Sequence, residues 1–172
     1  AYTPVPITLP SHSSIMTGLY PPEHGVHTNG KNSLGTEVPT LPEILAAQGY
    51  VTGAFPAAFV LDSKFGLDRG FHTYDDDLIG AEPTPDEAHR FRRGGFVVGS
   101  AISWLKQREK KPFFCWVHFF DAHMPYHTHV DEFGSRFLDK PYDAEIAYLD
   151  IQIKKLIDFL KSQELDETTL IV

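Results

Sequence analysis

The chain has a single cysteine in 172 residues, Cys115, and its 15 lysines and arginines are outnumbered by 23 aspartates and glutamates. One cysteine excludes an internal disulfide framework and any cysteine-built zinc cluster. It lies in an apolar run, Phe113 to Phe120, where a buried, inert thiol is the expectation. The formal net charge of -8, with Lys and Arg scattered rather than gathered in a stripe, gives a nucleic-acid polymer no electrostatic footing. An anionic small molecule would have to be held by local groups against the net field. No stretch is long and apolar enough to span a bilayer, and the start has no charged segment leading into an apolar one. Neither a membrane span nor an export signal is therefore expected within these residues. Oligomeric state has no signature. Repeats, low-complexity tracts and interdomain linkers are missing too, and 42% hydrophobic with 13% aromatic residues suits one globular domain over residues 1–172.

What is present is organised around Thr8-Leu9-Pro10-Ser11-His12 and the residues that follow it to Asn29. A hydroxyl precedes an X-Pro unit, a short helix is expected over Ser11–Met16, and a Gly/Pro-punctuated turn returns His24 and Asn29. The unsatisfied N–H groups and dipole of a helix N-terminus favour an oxyanion beside such a hydroxyl, whether phosphate or sulfate. The pattern alone fits an ordinary capped helix after a loop equally well.

Beyond this stretch, strands and helices alternate, which predicts an α/β layer structure with a mainly parallel sheet between helices. Residues 30–39 read as loop. Thr40 is an N-cap, followed by Pro42, a capping-box Glu43 and an apolar face closed by Gly49. Val51–Phe55 reads as a strand, and Ala57–Leu61 is open between strand and helix. Thr84-Pro85-Asp86-Glu87 predicts a helix running to about Arg108, burying Phe96, Val97, Ile102, Trp104 and Leu105, with Gly94-Gly95 as a weak point. The continuous apolar run Phe113 to Phe120 predicts a central strand covered on both faces. The loop Asp121 to His127 at its C-terminal end lies where open α/β sheets place their ligands. Pro141 to about Leu160 reads as a helix with Ile146, Leu149, Ile153, Leu156, Ile157 and Leu160 on one core stripe. Thr168 to Val172 begins another strand.

Several polar residues have plain readings. Asp75-Asp76-Asp77 is expected to be a solvated acidic turn, because no calcium-loop spacing surrounds it. His118 reads as a hydrogen-bonded core histidine, His24 as a residue that fixes its turn, and His127 and His129 as surface residues. A metal site built from Asp121, His123, His127 and His129 is disfavoured, since Pro125 prevents a helix that would align them. For His12, contact with a reacting group and a capping or packing role both remain open.

Thr8 to His12, with Ile15, Thr17-Gly18, Tyr20-Pro21 and His24-Gly25, resembles the nucleophile signature of the sulfatases and the wider alkaline-phosphatase superfamily. Further segments are similar in family order: Thr40 to Thr52, Phe65 to Phe71, Pro112 through His123-Met124-Pro125-Tyr126, and Tyr142 to Asp150. The resemblance covers nearly the whole chain. It implies an alkaline-phosphatase-like sandwich, incomplete at both ends, in a metal-dependent hydrolase of small-molecule sulfuric or phosphoric esters. It implies Thr8 as nucleophile and metal ligand, Asn29 as a ligand of the transferring group, and His123 as a contact to its oxygens or leaving group. His12 stands where the family has Arg. The implied cofactor is a divalent metal, Zn, Ca, Mg or Mn. Its main ligands are expected outside these residues, on an Asp strand before the nucleophile and an Asp-His-Gly or Asp-Asn segment after the strand beginning at Thr168. A periplasmic or extracellular location is implied as well.

Two departures qualify the resemblance. Thr8 stands where sulfatases carry the Cys or Ser that becomes formylglycine, a conversion barred by the methyl group on its carbon. Pro56-Ala57-Ala58-Phe59 replaces a Gly-Lys-Trp-His segment whose Lys and His contact sulfate. Thr8 with Asn29 is similar instead to the nucleotide pyrophosphatase/phosphodiesterase branch, which shifts the expectation toward phosphoesters and a covalent intermediate. A threonine hydroxyl needs a base or a metal to attack, and no side chain near Thr8 in sequence is an obvious base, so metal activation is expected. The alternatives are a non-catalytic, degenerate domain and a membrane-tethered phosphoethanolamine-type transferase.

Overall fold

The computed structural model of the chain describes residues 3–78 and 90–172. Helix α1 (Thr8–Thr17) begins three residues before the expected Ser11 and ends on Gly18 in the left-handed conformation, φ 72°. Its N-cap is Ile7, which offers no side-chain acceptor, so Thr8 is the first helical residue rather than a hydroxyl ahead of the helix. A single turn, α2 (Pro21–His24), follows. Helix α3 (Leu41–Ala47) forms as the sequence requires, with Thr40 Oγ1 accepting from Glu43 N and the Glu43 carboxylate accepting from Thr40 N at 2.8 Å.

Strand β1 (Val51–Phe55) matches its expected bounds. Ala57–Leu61 is neither strand nor α-helix: Ala58 bridges Phe91, and Phe59–Leu61 is a 3-10 turn. A two-residue strand, β2 (Thr73–Tyr74), has no sequence signal. The acidic turn after it is tied down rather than merely solvated. Asp75 Oδ1 accepts from Arg92 Nη1 at 2.9 Å and Asp76 Oδ2 accepts from Ser63 N at 2.7 Å.

Helix α4 (Gly94–Gln107) starts well after the expected point. Residues 84–89 of that expectation lie outside the described residues, and Arg93 is the N-cap. Gly94 and Gly95 are thus its first turn, not a mid-helix weak point. Val97 and Leu105 are buried as expected, whereas Phe96 is exposed and Ile102 and Trp104 are partly buried. Strand β3 (Phe113–Val117), the turn α5 (Val130–Phe133) and the long helix α6 (Pro141–Ser162) complete the regular elements. Among the described residues, no helix is long and apolar enough to cross a membrane.

The sheet order is β2-β1-β3, with β1 parallel to both neighbours and Val51–Phe55 in register with Phe113–Val117. The centre is therefore β1. Strand β3, expected there from its apolar run, is an edge among the described residues and is half-buried throughout. On one face Phe55 meets Trp104 of α4. Gly53 lets that indole approach, because an added Cβ would lie 2.7 Å from the ring. On the other face Phe71 stacks on Phe114 and Trp116, and α1 lays His12 against Trp116 at 5.4 Å between ring centroids. The core joins Leu9 and Met16 of α1 to Phe55, Leu61, Leu67, Val97 and Phe120.

Helix α6 departs from its apolar stripe. It buries Ala144, Glu145, Tyr148, Gln152 and Leu160, leaving Ile146 46% and Ile153 42% exposed. The buried face is displaced by one residue because Glu145 and Tyr148 find partners beneath it. Thr168 closes a 3-10 turn, Asp166–Thr168, and the expected strand does not form; Leu170, Ile171 and Val172 are exposed.

Candidate active site

The missing cap of α1 is supplied from twenty residues away. Asn29 Oδ1 accepts a hydrogen bond from Leu9 N at 2.8 Å, taking one of the N–H groups that Ile7 cannot satisfy. This commits the oxygen of the amide to the helix and turns its nitrogen, a donor of two hydrogen bonds, toward other partners. Thr8, half-buried at the first helical position, makes no hydrogen bond through Oγ1 to any described residue. Nucleophile candidate, helix N-terminus and amide donor thus meet at one point, where the helix dipole and free N–H groups favour negative charge.

His12 lies one turn along α1, its Nδ1 2.8 Å from the Thr8 carbonyl oxygen. A carbonyl can only accept, so Nδ1 carries the proton and donates. Burial holds the His12 pKa below the ordinary imidazole value, opposed by that bond. His12 meets His118 edge-on, with 4.8 Å between ring centroids. His118 Nδ1 accepts from Ala57 N at 3.3 Å, and burial, with a smaller contribution from His12, lowers its pKa to about 3. The two imidazoles are therefore neutral near pH 7 and bring no cation to Thr8.

A row of rings runs on from this pair. His118 neighbours Phe120 at 6.4 Å, and His123 stacks on Phe120 at 4.3 Å with planes 14° apart. His123 is exposed and donates from Nδ1 to the Met124 carbonyl oxygen at 2.8 Å. The loop at the C-terminal end of β3 and the turn at Thr8 thus share one end of the sheet, linked by the row of rings His12, His118, Phe120 and His123. His24 is structural in its geometry. Its Nδ1 accepts from Val26 N at 3.1 Å and its Nε2 lies 2.9 Å from Ser14 Oγ, which ties α2 to α1. A cavity of about 1100 Å³ opens at the opposite end of the sheet, beside Tyr50, Leu105, Arg108 and Phe113, and contains none of these candidates.

His129, expected at the surface, is buried. Its Nε2 lies 2.7 Å from Glu145 Oε2, and Glu145 Oε1 accepts from His127 N at 2.7 Å. Asp121 is buried as well, accepting from Gly94 N through both oxygens, and burial raises its pKa. Sequence reasoning missed Glu145 and Tyr148. The readable signal was the spacing Glu145, Tyr148, Gln152, which places three polar side chains on one helical face. The metal that the resemblance implies finds no fit in these surroundings. Among the described residues no group of three or more His, Cys, Asp or Glu could hold an ion, and both Asp121 oxygens are already engaged.

The sequence model of the family described as Sulfatase matches residues 1–172. The chain belongs to the sulfatase family. Members of this family are ester hydrolases and in general depend on divalent metals. Solved structures agree on the fold. The crystal structure of Ps i-CgsB superposes with a TM-score of 0.72 at 19% identity, over 95% of this chain and 46% of that one. The phosphonate monoester hydrolase of Agrobacterium radiobacter gives 0.62 at 16% identity, over 93% of this chain and 51% of the other. BT4656, solved with its substrate D-glucosamine-2-N,6-O-disulfate, gives 0.61 at 18% identity, over 80% and 30%. At such identities the likeness shows the α/β, alkaline-phosphatase-like fold. This sulfatase-family chain spans 30% to 51% of the length of these three proteins. No curated protein sequence matches it significantly.

Proposed function

We propose that this chain is the nucleophile-bearing part of a hydrolase of small-molecule sulfuric or phosphoric esters, with Thr8 as the attacking hydroxyl. The observation that carries the reading is the convergence at Thr8: an Oγ1 with no hydrogen-bond partner among the described residues, on the first residue of α1, beside an Asn29 amide fixed by Leu9 N. Thr8 Oγ would attack sulfur or phosphorus, the ester alcohol would leave with a proton, and water would then cleave the Thr8 ester and restore the hydroxyl. The Asn29 nitrogen would donate to a non-bridging oxygen as charge grows there. His12, kept neutral by burial and donating to the Thr8 carbonyl, would hold the turn rather than act as a strong base. His123, exposed at the same end of the sheet, would meet the ester oxygens or leaving group. Phosphoesters are the favoured substrates, because Thr8 cannot become formylglycine and Pro56 to Phe59 lack the Lys and His that contact sulfate. A divalent metal belongs to the proposal for the complete protein, as does a periplasmic or extracellular location.

A parallel assay of the complete protein on an aryl sulfate, a phosphate monoester and a phosphate diester, with Zn, Ca, Mg and Mn, tests this reading. Thr8→Ala should abolish turnover, and retained turnover would remove Thr8 from the nucleophile role. A preference for sulfate would overturn the phosphoester assignment. The second reading, a degenerate domain that keeps the fold for binding, is favoured by the missing Lys and His alone. Absence of turnover on all three esters with every metal would select it.

A further inference from the structure

The loop that carries His123 has a ring contact on each side, His123 stacked on Phe120 and Tyr126 edge-on to Tyr142 of α6 at 5.1 Å, yet its apolar side chains stay largely in solvent. Met124 is 68% exposed and Tyr126 40% exposed. What holds it is a buried polar cluster that the proposed reaction does not use. Before His123, Asp121 accepts from Gly94 N, at the start of α4, through both oxygens at 2.9 Å. After His123, the loop is bonded to the carboxylate of Glu145 on α6, while the more exposed Glu132 lies farther off, its Oε2 3.8 Å from His129 Nδ1. Glu145 Oε1 accepts from His127 N and Glu145 Oε2 faces His129 Nε2, each at 2.7 Å, with the Glu145 and His129 side chains both 1% exposed. The His129 ring stacks on Tyr148 at 4.3 Å with planes 10° apart, and Tyr148 Oη accepts from Gly95 N at 3.2 Å. His129 holds a left-handed backbone, φ 46° and ψ 51°, a conformation that a non-glycine residue keeps only when its surroundings over-determine it.

We propose that Glu145 is a positioning residue: with His129 it latches the far side of the His123 loop onto α6, and so sets where His123 stands relative to Thr8. One carboxylate bonds two points of the loop, a backbone N–H that is partly buried and a side chain that is fully buried, and the His129 bond cannot be replaced by solvent because both its partners are buried. The near side is fixed separately by Asp121. Removing Glu145 should therefore free only the stretch from Ala122 to His129 and leave α1, β1 and the Asn29 contact in place. The catalytic consequence rests on the functional reading above; the latch itself does not.

The test uses the complete protein and two readouts, amide hydrogen exchange and steady-state ester turnover. Glu145→Ala should raise exchange at residues 122–129 by about tenfold or more, with α1 and β1 unchanged. It should also lower kcat by about tenfold with a smaller change in KM, because His123 then meets the transition state less well than the ground state. Glu145→Gln, which can still accept from His127 N, should recover part of both losses. His129→Asn, whose short amide suits the left-handed backbone, loosens the same loop from the other side and decides the matter should Glu145→Ala fail to fold. Exchange unchanged at 122–129, or raised equally in α1 and β1, overturns the latch; Glu145→Ala turning over at the wild-type kcat overturns the positioning role. If the wild-type protein cleaves no ester, the functional reading fails and the latch stands or falls on the exchange data.

Discussion

Acidification should unfold this domain through His118, and by an amount that can be worked out. The imidazole pKa falls from 6.5 to about 3, chiefly because burial disfavours the charged ring and secondarily because His12 lies against it. Its Nδ1 is an acceptor for Ala57 N, so a proton there would face another donor. Between pH 6.5 and 3 the unfolded chain binds a proton that the folded chain refuses, so stability is complete above pH 6.5 and drains away as pH falls toward 3. Linkage puts the loss relative to pH 7 at about 2 kcal/mol by pH 5 and about 3 kcal/mol by pH 4. Urea unfolding followed by the fluorescence of Trp104 and Trp116, at pH 7, 5 and 4, measures this directly. His118→Asn is the control, since its Oδ1 can accept from Ala57 N and it does not titrate. The wild type should lose about 2 kcal/mol more than the variant between pH 7 and 5. Parallel stability curves for the two proteins would refute the reasoning, for they would mean that His118 is as protonatable folded as unfolded.

Three further outcomes are expected. Gly70→Ala should cost about 3 kcal/mol or more in urea unfolding, because φ is +80° there and the new Cβ would fall 2.1 Å from Glu43 N, a backbone atom that cannot swing away. Thr40→Ala removes the acceptor for Glu43 N and a hydroxyl donating to Arg69 O, and should lower stability by about 1–2 kcal/mol in the same assay. Cys115, its thiol pushed up to about 12 by burial, should react with a disulfide reagent at pH 8 far more slowly in the folded protein than in denaturant.

The parts of the fold that were legible are those whose determinants are local. Thr40, Pro42, Glu43 and Gly49 specify α3 within ten residues, and the structure follows them bond for bond. The bounds of β1 and α6 and the alternation of elements were readable for the same reason. Strand order was not, since the apolar run of β3 reports burial but not which neighbour provides it. The buried face of α6 was missed because hydrophobicity and helical period select Ile146, Leu149 and Ile153. Tertiary partners select the face one residue back, where Glu145 and Tyr148 satisfy His127 N, His129 and Gly95 N. Long-range hydrogen bonds overrode a local pattern whose apolar side chains remain half in solvent.

At the candidate site the same division holds, with one instructive exception. The positions of Thr8 and Asn29 came from resemblance, and nothing in the spacing of the two residues says that Asn29 caps the helix that Thr8 begins. A physical signal was nevertheless present. The residue before Thr8 is Ile7, among the poorest of N-caps, and a helix that begins on an uncapped turn leaves backbone donors that must be satisfied by water, by a ligand or by a distant side chain. Asn29 satisfies one of them through its oxygen. A serine or aspartate at position 7 would have closed the helix locally and left the Asn29 amide without a fixed orientation. The weak cap at Ile7 is thus what makes room for a long-range one, and the long-range cap is what holds the Asn29 amide at the residue next to Thr8, with its oxygen committed and its nitrogen left to donate.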